Sequence, residues 1–345
     1  MTAYHAPWWL PGGHLQTIWP LTRKDAVPAY RRERWDTPDG DFIDLDWLAD
    51  DGAPAADRPL VVLFHGLEGS SRSHYARSLM QAVRARGWRG VVPHFRGCSG
   101  AANRLARAYH SGDSAEIDWI LRRLRTCAGN APLYAAGVSL GGNALLKWLG
   151  ERGSEAAAVV DAGAAICPPL DLTVSGHALG RGFNRVYSEH FLFTLKAKAL
   201  AKLAHHPGLF DASRVRRART LFAFDDAYTG PVHGFAGAAD YWCRASSRPL
   251  LRGIRVPTLL LCAANDPFVP PAALPAAHEL SAAIRFECPR RGGHVGFLDA
   301  PWPGRLGWLP QRLLQHFDTH RAGADDYHRR RDAHSVIRST LTPSN

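Results

Sequence analysis

Apolar and polar positions along the chain alternate with two different periods. Residues 31–36 and 41–48 repeat every second position, with Ile43, Leu45 and Trp47 set against Asp44 and Asp46, which predicts a hairpin of two strands. From Leu60 onward a strand-then-helix rhythm sets in. Apolar runs at 60–65, 90–95, 132–137 and 157–167 predict buried strands. Residues 74–86, 114–126 and 139–151 predict helices, the last with Ala144, Leu145, Trp148 and Leu149 on one face. Such alternation predicts an α/β protein with a mostly parallel sheet covered on both faces.

The rhythm stops at Pro168. Residues 168–255 read as helices and loops with clustered aromatic and basic side chains, and the pattern resumes with strands at 258–262 and 284–288 and helices at 271–282 and 305–316. The expected organisation is an N-terminal arm (1–30), a first core part (31–167), a helical lid insertion (168–255), a second core part (256–320) and a loose tail (321–345). The tail lacks apolar periodicity.

The arm holds "PWWLPGGHLQTIWP", with Trp8, Trp9 and Trp19 around a Pro-Gly-Gly turn and His14. Its prolines and glycines cannot support a long amphipathic helix. The arm is therefore expected to pack on the body near the insertion with its indoles buried, not to anchor the chain in a membrane. No run of 18 apolar residues exists, which excludes a transmembrane helix, and no secretory signal pattern is visible. Six cysteines without a C-x-x-C pair read as free thiols, so a cytoplasmic location is expected.

Charge changes the picture less than its size suggests. The net +11 rests on 37 arginines and only five lysines. Between Gly69 and Gly112 lie eight arginines and no acid, which reads as a solvated face of helix and loop. No helix-turn-helix, RNA-binding or zinc-finger pattern accompanies them, and nucleic acid is not an expected partner.

The chemistry lies elsewhere. Gly137-Val138-Ser139-Leu140-Gly141 falls between an apolar strand and an amphipathic helix, the context of a nucleophile elbow. A serine hydroxyl needs a base held by an acid. Asp266 follows the next apolar strand after the insertion, and His294 sits in a Gly-rich loop after the strand beyond. The order Ser, Asp, His with acid and base behind successive strands is that of elbow-type hydrolases. Backbone N–H groups of Leu140 and of Leu67, in "FHGLEGSS", are the expected oxyanion donors, with Glu68 the weaker alternative. Asp113 is read as a helix cap and not as the triad acid. His316 and His320 have the spacing of a helical zinc pair but lack the intervening glutamate and a third ligand. No phosphate loop or dinucleotide fingerprint is present, so no cofactor and no metal are expected.

These segments resemble a known family. "WWLPGGHLQTIWP", "FHGLEGSSRSHYARSL", "PHFRGCSG", "NRLARAYHSGD", "GVSLGGNALLKWLGE", "RTLFAFDDAYTGPVHGFAGAADYW", "NDPFVP" and "GGHVGF" are similar to the YheT-like group of α/β-hydrolases. That group includes eukaryotic relatives described as lipases, phospholipases or alcohol acyltransferases. The resemblance implies the α/β-hydrolase fold and a triad of Ser139, Asp266 and His294, in agreement with the residue-level reading. It does not imply a substrate. The expected function is hydrolysis of carboxylic esters, with a short- to medium-chain acyl ester or lipid-like small molecule as partner and at most transient contact with a membrane. Acyl transfer to an alcohol through the same acyl-enzyme, or ligand binding by a little-used triad, are the alternatives.

Overall fold

The computed structural model describes residues 3–23, 26–49 and 57–321. The expected tail lies outside the described residues from position 322 on.

Eight strands form one sheet in the order β1-β2-β4-β3-β5-β6-β7-β8. β1 (Tyr30–Asp36) and β2 (Phe42–Leu48) make the expected antiparallel hairpin, pairing Tyr30 with Leu48 and Asp36 with Phe42. β2 also runs antiparallel to β4 (Arg89–Pro93). Every other pair is parallel: β3 (Leu60–Phe64), β5 (Leu133–Val138), β6 (Ala162–Ile166), β7 (Thr258–Leu261) and β8 (Ile284–Glu287). Period-two side-chain placement splits each central strand between two cores. Leu60, Val62 and Phe64 of β3 face α3 (Ser114–Ala128) and α4 (Leu140–Arg152), against Ile117, Leu121, Leu145 and Trp148. Val61 and Leu63 face the other way, toward Leu79, Met80 and Val83 of α2 (His74–Ala85) and Leu313 and Phe317 of the helix at 308–321. Both faces are dry, which is why these strands read as unbroken apolar runs.

Between β6 and β7 the chain is helical, including α5 (Leu172–Leu179) and α6 (Arg185–Lys202). A π-helical turn, Asp225–Thr229, and a short helix, Ala238–Ala245, follow.

Several expectations are corrected. The helix expected at 271–282 is two separate 3₁₀ turns, Pro271–Ala273 and Ala277–Glu279. Pro275 lies between them, and the residue before a proline is driven out of the helical region. Leu274 accordingly takes φ −74°, ψ 146°. The strand expected from 157 starts only at Ala162, because Gly153–Ala158 continues as a 3₁₀ turn after α4. In the arm, α1 (Gly13–Ile18) is a short helix. Trp9 packs edge-on against Trp19 and Trp302, and Trp19 meets Trp302 at a tilt, but Trp8 is 87% exposed.

The arginine-rich stretch is also less solvated than its sequence implies. Arg96 is buried, paired with Asp39 and Asp41 from the β1–β2 turn and with Glu116 of α3. Arg107 pairs with Asp113, and Arg104 with Asp36. The acids missing from the stretch come from other elements.

Histidine burial makes the fold acid-sensitive. Burial lowers the pKa of His65 to about 3 and those of His74, His110 and His316 to about 4. Each stays neutral in the folded protein while the unfolded chain takes up its proton below about pH 6.5. Their contribution is complete above that pH and is lost as pH falls toward about 4. Two buried carboxyls pull the other way: Asp225, raised to about 6, and Glu116, also raised by burial. With His320 also lowered and the half-buried Asp299 also raised, five histidines outweigh three carboxyls, so melting temperature should fall between about pH 6.5 and about pH 4.5. A thermal melt series across that range checks it; a flat or rising profile would refute the balance.

Candidate active site

Three loops at the carboxyl ends of parallel strands converge on one point. β5 ends at Val138 and α4 begins at Leu140, so Ser139 makes the whole turn, with φ 52° and ψ −118°. That turn requires its glycines. A Cβ on Gly137 would lie 2.5 Å from the Gly141 carbonyl oxygen, and one on Gly141 would lie 2.5 Å from the carbonyl oxygens of Phe64 and His65.

Asp266 stands beyond the end of β7 and His294 beyond the end of β8. The structure brings the three residues together in a line. The His294 Nδ1–H donates to Asp266 Oδ2 at 2.8 Å, and the Ser139 hydroxyl lies 3.0 Å from His294 Nε2. A carboxylate at Nδ1 holds the ring proton there and leaves Nε2 free to accept. Asp266 is buried, and its other oxygen accepts from the N–H groups of Phe268 at 2.8 Å and Val269 at 3.3 Å. The Phe268 ring stacks on the imidazole with centroids 4.2 Å apart.

The loop after β3 is pinned on both sides. The Gly66 N–H donates to the Tyr75 hydroxyl at 2.8 Å, and the Glu68 N–H to the Tyr109 hydroxyl at 3.0 Å. Glu68 is thereby removed as an oxyanion donor. His65 fixes the loop's base: its Nδ1–H donates to the Gly66 carbonyl at 2.8 Å, and its Nε2 accepts from the Phe95 N–H at 3.1 Å. Gly66 lies against the serine, where a Cβ would stand 3.3 Å from that of Ser139. Leu67, from that loop, and Leu140, the residue after the serine, therefore flank Ser139, and Leu140 opens a helix whose first N–H groups have no acceptor within the helix.

A cavity of about 540 Å³ opens at this point, lined by Ser139, Leu67 and Leu140 on the sheet side. From the segment after β6 come Leu172, Phe191 and Trp242. Among the aromatics of that segment, Phe191 lines the cavity, Tyr187 packs on Phe268, and Phe183 and Phe193 are exposed. The size falls within the range of small-molecule sites.

The other candidates are engaged elsewhere. Asp113 caps α3, accepting from the Glu116 N–H, and pairs with Arg107. His316 donates from Nε2 to the Gly163 carbonyl at 3.0 Å. Cys167, Asp266 and His294 are the one cluster of three possible metal ligands among the described residues. Burial raises the Cys167 thiol well above its ordinary value, which disfavours the thiolate a metal needs.

Residue-by-residue reading missed Gln16, Thr17 and Asn265. All three bond directly to the loop that carries His294. Their one sequence signal is position: "GGHLQT" is a polar, Gly-bearing segment within an otherwise aromatic arm, and Asn265 precedes Asp266.

A profile of the α/β hydrolase fold family matches residues 59–301. YheT of Escherichia coli (strain K12) is 40% identical over 303 residues, covering 87% of this chain and 88% of that protein. The chain belongs to the α/β-hydrolase family, in its YheT-like branch. Human phospholipase ABHD3 is 28% identical over 91% of this chain and 78% of its own. The monoacylglycerol lipase of Saccharomyces cerevisiae is 28% identical over 74% of this chain and 56% of its own. Among solved structures, the Exiguobacterium antarcticum esterase shares the fold at a TM-score of 0.53 and 19% identity, covering 83% of this chain and 99% of its own. Among the described residues, no helix is long and apolar enough to cross a membrane.

Proposed function

We propose that this carboxylic ester hydrolase works through an acyl-enzyme on Ser139, with a short- to medium-chain acyl ester or lipid-like ester as substrate. The observation that carries the reading is the unbroken line from Asp266 through His294 to Ser139, ending in an apolar cavity.

In the first half-reaction His294 Nε2 takes the Ser139 proton as Oγ attacks the carbonyl carbon. The oxygen that becomes negative is received by the N–H groups of Leu67 and Leu140. When the tetrahedral intermediate collapses, the ester C–O bond breaks and His294 returns the proton to the departing alcohol. Water then attacks the acyl-enzyme with His294 again as base, releasing the acid and restoring the serine. Asp266 keeps the imidazole in the right tautomer and stabilises its charged form. None of these steps calls on a cofactor.

Residues 168–255 act in this reading as a helical lid whose inner side chains receive the acyl chain. The names of the human and yeast relatives, a phospholipase and a monoacylglycerol lipase, support a lipid-like ester. Free cysteines suit a cytoplasmic setting. The protein meets its substrate without nucleic acid and touches membranes only transiently.

A series of activated esters from acetate to palmitate tests the reading. Turnover should peak at short to medium chains, and added ethanol should not divert the acyl group to an ethyl ester. A flat, negligible rate across the series would overturn hydrolysis in favour of ligand binding. Predominant ethyl ester would make the protein an acyltransferase.

A further inference from the structure

The loop that carries His294 is held by side chains and not by a regular backbone ladder. Three consecutive N–H groups each find a side-chain oxygen. Gly292 donates to Gln16 Oε1 at 2.9 Å, Gly293 to Asn265 Oδ1 at 3.0 Å, and His294 to Thr17 Oγ1 at 2.9 Å. Two of the three acceptors come from α1 of the arm, and the third is the neighbour of Asp266. Gln16 also joins the two loops directly, since its Oε1 accepts a second hydrogen bond from Asn265 Nδ2 at 2.9 Å. Gln16 is buried, and its Nε2 donates to the Leu10 carbonyl at 2.8 Å; Thr17 donates its own proton to the Gly13 carbonyl at 2.7 Å. Both side chains are therefore fixed in one orientation with their acceptor oxygens turned to the loops.

Glycines on both sides make this approach possible. A Cβ on Gly13 would fall 2.0 Å from the Asn265 carbonyl oxygen, and one on Gly296 would fall 2.0 Å from the Gln16 carbonyl oxygen. Backbone meets backbone here, so a small shift of α1 is transmitted to the loops without slack. The next residue of the arm reaches the segment after β6. His14 Nδ1 lies 3.2 Å from the Tyr187 hydroxyl, and Tyr187 packs on the Phe268 ring that stacks on His294.

If the arm served only to bury surface, its contacts would be spread along its aromatic side chains. Tyr4, Trp9 and Trp19 do pack on the body, but the buried polar contacts of α1 converge on the two loops behind the serine. We infer that Thr17 and Gln16 are positioning residues for the reaction proposed above: Thr17 sets where the His294 main chain stands, and Gln16 sets the histidine loop against the aspartate loop. The inference rests on the triad reading. Neither residue touches the reacting atoms. They act by keeping Nε2 at hydrogen-bonding distance from Ser139 Oγ, and displacement of a catalytic group by about 1 Å costs roughly 10²-fold in rate.

The test compares Thr17→Val, which keeps the shape but removes the acceptor, with Thr17→Ser, which keeps the oxygen. Both are assayed with an activated ester at a temperature where circular dichroism shows each variant folded. Thr17→Val should lower kcat by roughly 10- to 100-fold with KM little changed, and Thr17→Ser should recover most of the loss. The far-downfield proton resonance of the His294–Asp266 hydrogen bond should broaden or vanish in Thr17→Val and return in Thr17→Ser. A wild-type kcat in folded Thr17→Val would overturn the inference. So would a Ser variant as slow as the Val variant, or a loss confined to KM. Failure of the triad reading itself shows separately, as phosphonate labelling that survives Ser139→Ala.

Discussion

Ser139→Ala should abolish labelling by a serine-directed phosphonate and lower ester turnover by ~10⁴-fold or more. The expectation follows from the turn as much as from the hydroxyl. Ser139 is held at positive φ between β5 and α4, with Gly137 and Gly141 leaving no room for another arrangement. Alanine tolerates the same backbone no worse than serine, so the variant should fold, and its defect should be chemical. The two flanking N–H groups and the cavity remain, which leaves a small residual rate above that of water. Mass spectrometry of the labelled protein reads the result. A phosphonate adduct in the Ala variant would move the nucleophile to another residue.

The second large effect separates the two acids on which a hydrolase of this kind could depend. Asp266→Asn should cost roughly 10⁴-fold in turnover, because an amide at Oδ2 no longer fixes the imidazole proton on Nδ1. Asp113→Asn should leave turnover within about twofold and lose about 1–2 kcal/mol of stability. Asparagine still caps α3, and what disappears is the charge-assisted bond to Arg107, which is partly open to solvent. Parallel rate and melting measurements on the two variants distinguish them. An exchange of the two phenotypes would make Asp113 the triad acid.

How much of this was visible in the sequence depends on how far each feature reaches along the chain. Strands β3 to β7 declare themselves because each is largely buried on both faces and so reads as an apolar run, whereas β8 is an edge strand with Arg285 exposed. Ser139 and Asp266 are legible because each follows such a run at its carboxyl end, and His294 because it stands in a Gly-rich loop after the next strand. The segment at 271–282 misled because its alanines favour helix while one internal proline prevents it, and single-residue vetoes are invisible to periodicity. The arginines between Gly69 and Gly112 misled for a different reason. The acids that answer Arg96 come from residues 39, 41 and 116, and only the packed sheet brings them together. Gln16 and Thr17 lie at the far end of this scale. Their partners stand 276 and 277 residues away, and nothing in a glutamine or a threonine announces such a partner.

That separation has a consequence for when the protein becomes able to react. Residues 16 and 17 leave the ribosome long before the glycines and histidine they hold. At about 5–20 residues per second, synthesis of the intervening chain takes roughly 14–55 s. The serine turn is translated midway, after β3 and β5 have been made and can pair, yet its base and the clasp around that base do not exist until residue 294 has emerged. A nascent chain thus carries an inert nucleophile through most of its synthesis. Contacts of this sequence separation are among the slowest to form, so ester turnover would be gained at the end of folding and would report that the first and last parts of the fold have met.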